Sequence, residues 1–253
     1  MNIVIITQNE PFYLRKSLSY LINSLPEDCH ISGVVLLATS PFGKKLSTFQ
    51  KGLSTLKVFG LAFTLYYLIK LLAAKIIGSS VENFLIKKKI PVITLDNSIN
   101  SSSSINKISS YKPDLLISVQ GNEIFKEPII TLAPKGCLNL HTALLPKYRG
   151  LMPSFWVLKN REEKTGVSVF FVDEGIDSGP ILVQREVFIN GMTQAELITH
   201  TKQVGMECII EAINKILIGG ISTLPNEDND MTYFGFPTRD DVIEFRKVGG
   251  KFF

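Results

Sequence analysis

Three polar side chains near the middle of the chain have types and spacing that suit transfer of an acyl group to an amine. Asn139 and His141 interrupt a short apolar strand that begins at residue 137. Residues two apart in a strand point to the same face, so these two side chains lean the same way. Asp177 lies in an acidic loop after a second apolar strand, residues 166–172. Because a strand-helix-strand unit brings the ends of its strands together, we expect this loop to face the Asn/His pair.

Each of the three groups has a role in such a reaction. The amide donates a hydrogen bond to the oxyanion of a tetrahedral intermediate. The imidazole does the same when protonated, or takes a proton from the attacking amine. The carboxylate holds the imidazole in one tautomer, or relays the proton of the amine. Taken singly, Asn139 also suits a turn cap, His141 a buried structural histidine, and Asp177 a turn before Gly179. The residues alone therefore indicate acyl-type transfer and no finer chemistry.

Several short motifs between residues 139 and 179 resemble those of the folate-dependent formyltransferase family. That family includes methionyl-tRNA formyltransferase, glycinamide ribonucleotide formyltransferase and the N-formyltransferases of nucleotide-linked amino sugars. The motifs are Asn139-Leu140-His141, Leu144-Leu145-Pro146-Lys147-Tyr148-Arg149-Gly150, Pro153, Thr165-Gly166-Val167 and Asp173-Glu174-Gly175-Ile176-Asp177-Ser178-Gly179. The close match covers about 45 residues, and a looser similarity of layout covers most of the chain.

The resemblance implies a catalytic trio of Asn139, His141 and Asp177, with 10-formyltetrahydrofolate as the formyl donor and no metal. It also implies that backbone groups of two loops hold the pterin ring. The predicted folate contacts are Ser118, Val119, Gln120, Gly121, Asn122, Asp173, Glu174, Gly175 and Ile176. Asn9, Arg149 and Trp156 are the predicted contacts of the amine acceptor.

Composition places the chain among globular α/β proteins. Its 253 residues are 45% hydrophobic and 20% charged, which suffices for one core. A net charge of +4 makes no case for nucleic acid. The widely spaced Cys29, Cys137 and Cys208 indicate reduced thiols. With Met1 leading directly into the first strand, we expect a cytoplasmic protein.

Apolar runs alternate with helical patterns and predict a Rossmann-like, doubly wound, mostly parallel sheet. The expected domain is residues 1–224, with 225–253 as an extension packed on it. Further predicted strands cover residues 2–6, 31–39, 91–95, 114–119 and 180–189. Predicted helices begin at Pro11, at a capping box in residues 79–82, at a second box in 193–196, and at Arg239.

The loop after the first strand helps to choose the acceptor. Residues 8–12 contain no glycine to wrap a phosphate, and Glu10 would repel one, which disfavours a purine-pathway phosphate substrate. We expect residues 225–253 to be too short for the further domain of methionyl-tRNA formyltransferases. A nucleotide-linked amino sugar is therefore the predicted acceptor. A formyltetrahydrofolate hydrolase, transfer to methionyl-tRNA and a non-catalytic folate-binding protein stay open as alternatives.

Residues 53–77 form an unusually apolar segment. The uncharged run of residues 58–69 is shorter than the roughly 20 residues that span a bilayer. Core packing or a lid over the acceptor site is the favoured interpretation. A homodimer contact comes next, and peripheral membrane contact is a less favoured alternative.

Overall fold

A twisted seven-stranded sheet forms the centre of the protein, in a computed structural model that describes residues 1–37 and 47–253. The strands of this sheet are β1 (Asn2–Gln8), β2 (His30–Leu37), β3 (Val92–Ile93), β4 (Leu115–Val119), β5 (Cys137–His141), β7 (Lys164–Phe171) and β8 (Ile181–Phe188); two further short strands, β6 (Arg149–Gly150) and β9 (Tyr233–Phe234), lie outside it. The sheet order is β3-β2-β1-β4-β5-β7-β8, and the first five strands are parallel. The predicted mostly parallel α/β fold is confirmed.

Helices cover both faces of this sheet. They are α1 (Leu14–Asn23), α2 (Thr48–Phe59), α3 (Leu61–Ile77), α4 (Val81–Lys87), α5 (Ser102–Ser109), α6 (Glu127–Ile130), α7 (Pro153–Lys159), α8 (Gln194–Ile218) and α9 (Arg239–Lys247). Alternate side chains of β1 point to opposite faces, because successive residues in a strand do so. Ile3 and Ile5 join the core beneath α1, α4 and α8, whereas Val4 and Ile6 join the core beneath α5 and α6.

Two helix starts differ from the predicted ones. α1 begins at Leu14 and not at Pro11, because the Glu10 carboxylate accepts hydrogen bonds from the backbone of Phe12, Tyr13 and Leu14. α4 is capped by Ser80, which accepts from the Asn83 backbone, so the predicted box at residues 79–82 does not form.

The capping box at the start of α8 is confirmed. Thr193 accepts from the Glu196 backbone, and Glu196 accepts from the Thr193 backbone. The helix ends at Gly219, whose φ of 80° is the left-handed conformation that glycine adopts at low cost. His200 lies exposed on this helix, as expected of a surface residue.

The connection between β5 and β7 is not the one that the sequence predicted. The two strands are antiparallel, with His141 opposite Ser168 and Leu138 opposite Phe171. The loop after β7 therefore leaves from the amino end of β5, away from His141. Residues 172–180 turn back along the sheet before β8 begins, and this return carries Asp177 to the Asn/His pair. The expected convergence occurs, but the reason given for it was wrong.

The chain after α8 packs on the rest of the protein. Leu224 forms an antiparallel bridge to Ile181 at the sheet edge, and β9 pairs with β6 in a separate two-stranded parallel sheet. The ring of Phe234 stacks on Tyr148 and Trp156. The predicted strand end at residues 38 and 39 lies outside the described residues, and the boundary proposed at residue 224 stays a prediction.

The apolar segment at residues 53–77 is split at Gly60, whose φ is 85°. Phe59, at the end of α2, is buried among Phe63 and Phe252. In α3 no residue is buried. The expectation of core packing is therefore wrong for this helix.

Candidate active site

The catalytic trio predicted from the sequence converges on one point. The Asn139 Nδ2 donates to Asp177 Oδ1 at 3.4 Å, and His141 Nδ1 lies 3.5 Å from Asp177 Oδ2. The His141 and Asp177 side chains are only 7% and 13% exposed. An amide, an imidazole and a carboxylate thus share a site that is largely shielded from water, where their mutual electrostatic interactions are stronger than in solvent.

The His141 ring is held on both sides. Its Nε2 is 2.7 Å from the backbone oxygen of Tyr148. A carbonyl oxygen only accepts, so Nε2 carries a proton and donates it to this bond. Nδ1 faces the Asp177 carboxylate, which can accept a hydrogen bond from Nδ1 when the ring is charged. The arrangement accommodates an imidazolium without rotation of the ring, as required of a group that holds a proton during a reaction.

Backbone and tail contacts fix Asp177. Its Oδ2 accepts from the Gly150 backbone at 2.9 Å, and its own carbonyl accepts from Asn226 Nδ2 at 2.9 Å. The same amide nitrogen donates to the Gly179 carbonyl at 2.9 Å. The Asp177 φ of 50° lies in the left-handed region, which Asp tolerates better than most residues. A side chain from the carboxyl-terminal part therefore clamps the loop that carries the carboxylate.

A buried polar network shapes the loop after β5. The Ser168 hydroxyl donates to the Ala143 carbonyl at 2.7 Å and accepts from the Leu145 backbone. Gln184 donates to the Leu145 carbonyl and to Ser168, each at 2.9 Å. The Leu145–Pro146 peptide bond is cis. These bonds tie the loop to β7 and β8 and set the position of the Tyr148 carbonyl that holds His141.

Tyr148 is also anchored through its hydroxyl. It donates to Glu162 Oε1 at 2.6 Å and accepts from Asn160 at 3.0 Å. Burial, followed by the hydrogen bond to Glu162, raises the pKa of the Tyr148 phenol to about 12. The phenol is therefore a neutral structural group at physiological pH.

The loops predicted to hold the pterin leave their strands at different ends of β5. Residues 118–122 follow the carboxyl end of β4, where Val119 pairs with Leu140, whereas the Val172 backbone donates to the Cys137 carbonyl at the amino end of β5 before the chain turns back. An added Cβ at Gly121 would lie 2.6 Å from Ser118 Oγ, and one at Gly175 would lie 2.0 Å from Ser178 Oγ. A side chain at either position would have to displace a serine hydroxyl, and the Ser178 hydroxyl is hydrogen-bonded to Asp173. The role of these two loops in pterin binding stays a prediction.

The second of these loops is stabilised from within. The Asp173 carboxylate accepts from the Gly175 backbone at 3.0 Å and from the Ser178 hydroxyl at 2.6 Å. On the first loop, the carbonyls of Val119 and Gln120 accept from Thr7 and Gln8. The loops after β1 and β4 are thus directly connected by hydrogen bonds. Within residues 1–37 and 47–253, no three side chains of metal-binding type come together.

An acidic side chain of the protein already contacts the start of α1. A helix start offers unpaired N–H groups that bind anions. Here the Glu10 carboxylate accepts from the backbone of Phe12 at 2.7 Å, Tyr13 at 2.9 Å and Leu14 at 3.1 Å. An anionic side chain of the protein itself occupies the position that a phosphate would take.

The three predicted acceptor contacts all have partners within the chain. Asn9 exchanges hydrogen bonds with Glu82 at the start of α4. Arg149 is 4% exposed, and its guanidinium donates to Asp228 and to two oxygens of Asn226. The Trp156 indole donates to the Gly235 carbonyl. Arg149 and Trp156 thus hold the carboxyl-terminal segment, and the acceptor role of all three residues stays a prediction.

Sequence reasoning missed the groups that hold the trio in place. The Tyr148 carbonyl and the Gly150 N–H are backbone groups, and residue types do not show where backbone groups point. Asn226 lies 49 residues from Asp177, and an isolated polar residue at that distance has no distinguishing pattern. Only the positive φ of Gly150 could be anticipated from its residue type.

With this geometry established, similarity to known proteins decides the family. A family model described as formyl transferase matches residues 78–213, just over half of the chain and including the whole trio. The chain belongs to the formyl transferase family. Methionyl-tRNA formyltransferase of Kosmotoga olearia is 34% identical over 170 residues, which cover 67% of this chain and 54% of that protein. The enzyme of Thermodesulfovibrio yellowstonii is 41% identical over 138 residues, covering 54% of this chain and 44% of its own.

Solved structures show the same fold at low sequence identity. A sugar N-formyltransferase from Shewanella sp. FDAARGOS_354 has a TM-score of 0.61 at 16% identity and covers 98% of this chain and 87% of its own. The N-formyltransferase from Helicobacter canadensis was solved with folinic acid and dTDP-3-aminofucose. It has a TM-score of 0.58 at 20% identity, and the match covers 94% of this chain and 71% of that one. This formyl transferase chain spans about half of the length of the curated relatives that it matches.

Proposed function

We propose that this chain transfers a formyl group from 10-formyltetrahydrofolate to the primary amine of a small acceptor, and that a nucleotide-linked amino sugar is the leading acceptor class. The convergence of Asn139, His141 and Asp177 carries the proposal. The donor supplies a formyl group that is activated by its attachment to nitrogen. The loops at residues 118–122 and 172–176 would hold its pterin through backbone groups.

The proposed roles follow from the contacts of each side chain. Asn139 donates to the carbonyl oxygen as negative charge develops there, and its present 3.4 Å bond to Asp177 is long enough to be exchanged at low cost. Asp177 takes the proton that the amine loses as its nitrogen bonds to the formyl carbon, directly or through His141 Nδ1. The same proton passes to the donor nitrogen as its bond to the formyl carbon breaks. His141 stabilises the charge meanwhile, held by the Tyr148 carbonyl.

Two observations support a sugar nucleotide as acceptor. Glu10 occupies the start of α1, which removes the phosphate cradle that a glycinamide ribonucleotide substrate would need there. The structural neighbour from Shewanella is a sugar N-formyltransferase by name, the one from Helicobacter canadensis was solved with dTDP-3-aminofucose, and each covers more than nine-tenths of this chain. The second candidate is methionyl-tRNA, because the curated relatives of highest similarity given above carry that name.

The test is incubation of the full chain with 10-formyltetrahydrofolate and one acceptor at a time: amino-sugar nucleotides, charged methionyl-tRNA, or no amine. Mass spectrometry detects the formylated product, and a formate assay runs in parallel. We expect transfer to an amino sugar, lost in His141→Ala and retained in the matched control His200→Ala, whose histidine is exposed on α8. Formylation of tRNA alone would replace the acceptor assignment. Formate release that is independent of any amine would favour the hydrolase and refute transfer.

A further inference from the structure

An exposed apolar stripe runs along α3. Its members recur at three- and four-residue spacing, so they lie on one side of the helix, and they are 50% to 86% exposed. They are Leu61, Leu65, Ile69, Leu72 and Ile76. The 17 residues of α3 make the stripe about 25 Å long at 1.5 Å per residue. An unpartnered apolar surface of this length indicates a binding face.

The opposite side of α3 shows which way the stripe points. Lys70 lies over the rings of Phe12 and Tyr13, at 5.2 and 4.8 Å from their centres, and Tyr67 packs edge-on against Phe12 at 5.1 Å. Phe63 stacks on the buried Phe59 at 4.6 Å. These side chains fasten one side of the helix to the protein, so the stripe faces outward.

Both ends of α3 are fixed, which prevents the helix from crossing a bilayer. By length and composition alone, the segment Leu61–Lys87 is long and apolar enough to span one. However, the backbone turns at Gly78, with φ 65°, and α4 then buries Val81, Phe84 and Leu85 in the main core. At the other end Phe59 is buried as well. A helix tied down at both ends can present its stripe to a membrane surface but cannot insert across it.

Charge indicates what the stripe contacts. From residue 29 to residue 81 the chain contains six lysines and no aspartate or glutamate. Among the described ones, Lys75 is exposed on α3 next to Ile76, and Lys57 is exposed in the last turn of α2, which leads into α3. A two-fold pair of such surfaces would bring the lysines of both copies together with no acid in the segment to neutralise them. Nucleic acid would use the lysines but would gain nothing from an apolar stripe. An anionic phospholipid surface binds both exposed lysines and exposed apolar side chains.

We propose that α3 is an interfacial helix that docks this formyltransferase on an anionic lipid bilayer, with the stripe in the acyl-headgroup boundary and the lysines at the headgroups. Phe12 and Tyr13, on which α3 packs, follow the carboxyl end of β1. β1, β4 and β5 are parallel, so this is the sheet edge at which His141 also lies. Docking therefore brings the candidate active site close to the bilayer surface.

Vesicle flotation with the full chain tests the proposal, using zwitterionic phosphatidylcholine vesicles and vesicles that also contain phosphatidylglycerol. We expect binding to the anionic vesicles. The triple variant Ile69→Gln, Leu72→Gln, Ile76→Gln should lower the partition coefficient by about 100-fold or more, because three exposed apolar side chains leave the interface. The matched control is Phe188→Gln, Ile218→Gln, Ile221→Gln, in which the three apolar residues are about as exposed but lie elsewhere. It should bind like the wild type.

A second pair of variants separates charge from apolar contact. Lys57→Gln with Lys75→Gln should weaken binding about 25-fold, at about fivefold per lysine, and Lys126→Gln with Lys135→Gln should leave it unchanged. All four lysines are exposed, so the fold is preserved. Absence of binding at every anionic fraction would overturn the proposal, as would equal binding by the stripe variant. Self-association that the stripe variant abolishes, without vesicle binding, would assign the surface to a second copy of the chain.

Discussion

Lys202 is a buried cation whose removal has a calculable effect on stability. It lies in α8, is 3% exposed, and burial lowers its pKa from 10.5 to about 8, partly offset by attraction to Glu10. At pH 7 the folded protein therefore holds a charged ammonium in a site that disfavours it. A pKa lowered from 10.5 to about 8 corresponds to a cost of roughly 3 kcal/mol for the charged form in the folded protein. We expect Lys202→Met, which keeps most of the length of the side chain without the charge, to raise the free energy of unfolding at pH 7 by up to about 3 kcal/mol.

The pH dependence gives a sharper test of the same group. The folded pKa lies below the unfolded one, so the unfolded state binds more protons between them, and stability rises with pH from about 8 towards 10.5. Between pH 7 and pH 9 the rise due to Lys202 is about 1 kcal/mol. Buried phenols and thiols, whose pKa values are raised, act in the opposite direction at higher pH. They are the same in both proteins, so the difference between wild type and variant isolates Lys202.

Urea unfolding of wild type and Lys202→Met at pH 7, 8 and 9 measures that difference. The stabilisation by the variant should be largest at pH 7 and should shrink as the pH rises, because the wild-type lysine loses its charge. Parallel stability profiles for the two proteins, or a variant less stable than wild type at pH 7, would refute the assignment of a charged, buried Lys202.

Three further changes test the surroundings of the trio. Asn226→Ala should slow turnover at least tenfold and cost about 1–3 kcal/mol of stability, because it removes the clamp on the Asp177 loop. The control is Asp228→Ala, at an exposed partner of Arg149, which should change neither the turnover rate in kinetic assays nor the stability in urea unfolding by much. Gly179→Ala should destabilise by roughly 2–3 kcal/mol, since its Cβ would lie 1.8 Å from the Phe171 carbonyl oxygen; an unchanged melting temperature would contradict this. Glu10→Ala should cost about 1 kcal/mol as α1 loses its cap, and restoration by Asp but not by Gln would show that charge matters.

The convergence of the three polar side chains was predictable, but the path of the chain that brings Asp177 there was not. Asn139 and His141 lie two apart in a strand, so their shared orientation follows from the pleat alone. Asp177 arrives by an antiparallel strand and a returning loop, which are determined by pairing between distant segments. Such long-range pairing is invisible in local residue patterns. The capping box at Thr193 is a local contact and was predicted correctly.

The surroundings of the site illustrate the same limit. Arg149 and Trp156 were predicted to contact the acceptor because polar and aromatic residues near a reaction centre often do. Their hydrogen bonds go to Asn226, Asp228 and Gly235, in a segment about 80 residues away along the chain, and these contacts could not be read from the sequence. The exposure of α3 could not be predicted either. Hydropathy depends on composition alone and does not show whether another part of the protein packs over a helix.

The rate of tetrahydrofolate formation from 10-formyltetrahydrofolate, measured with the best acceptor of the panel, tests the catalytic trio most directly. Asn139→Ala, His141→Ala and Asp177→Ala should each lower kcat about 100-fold or more while the melting temperature changes little. The double variant at His141 and Asp177 should lose hardly more than the worse single variant, because the two act as a unit. Rates within tenfold of wild type for any one of the three, in a folded protein, would contradict the account.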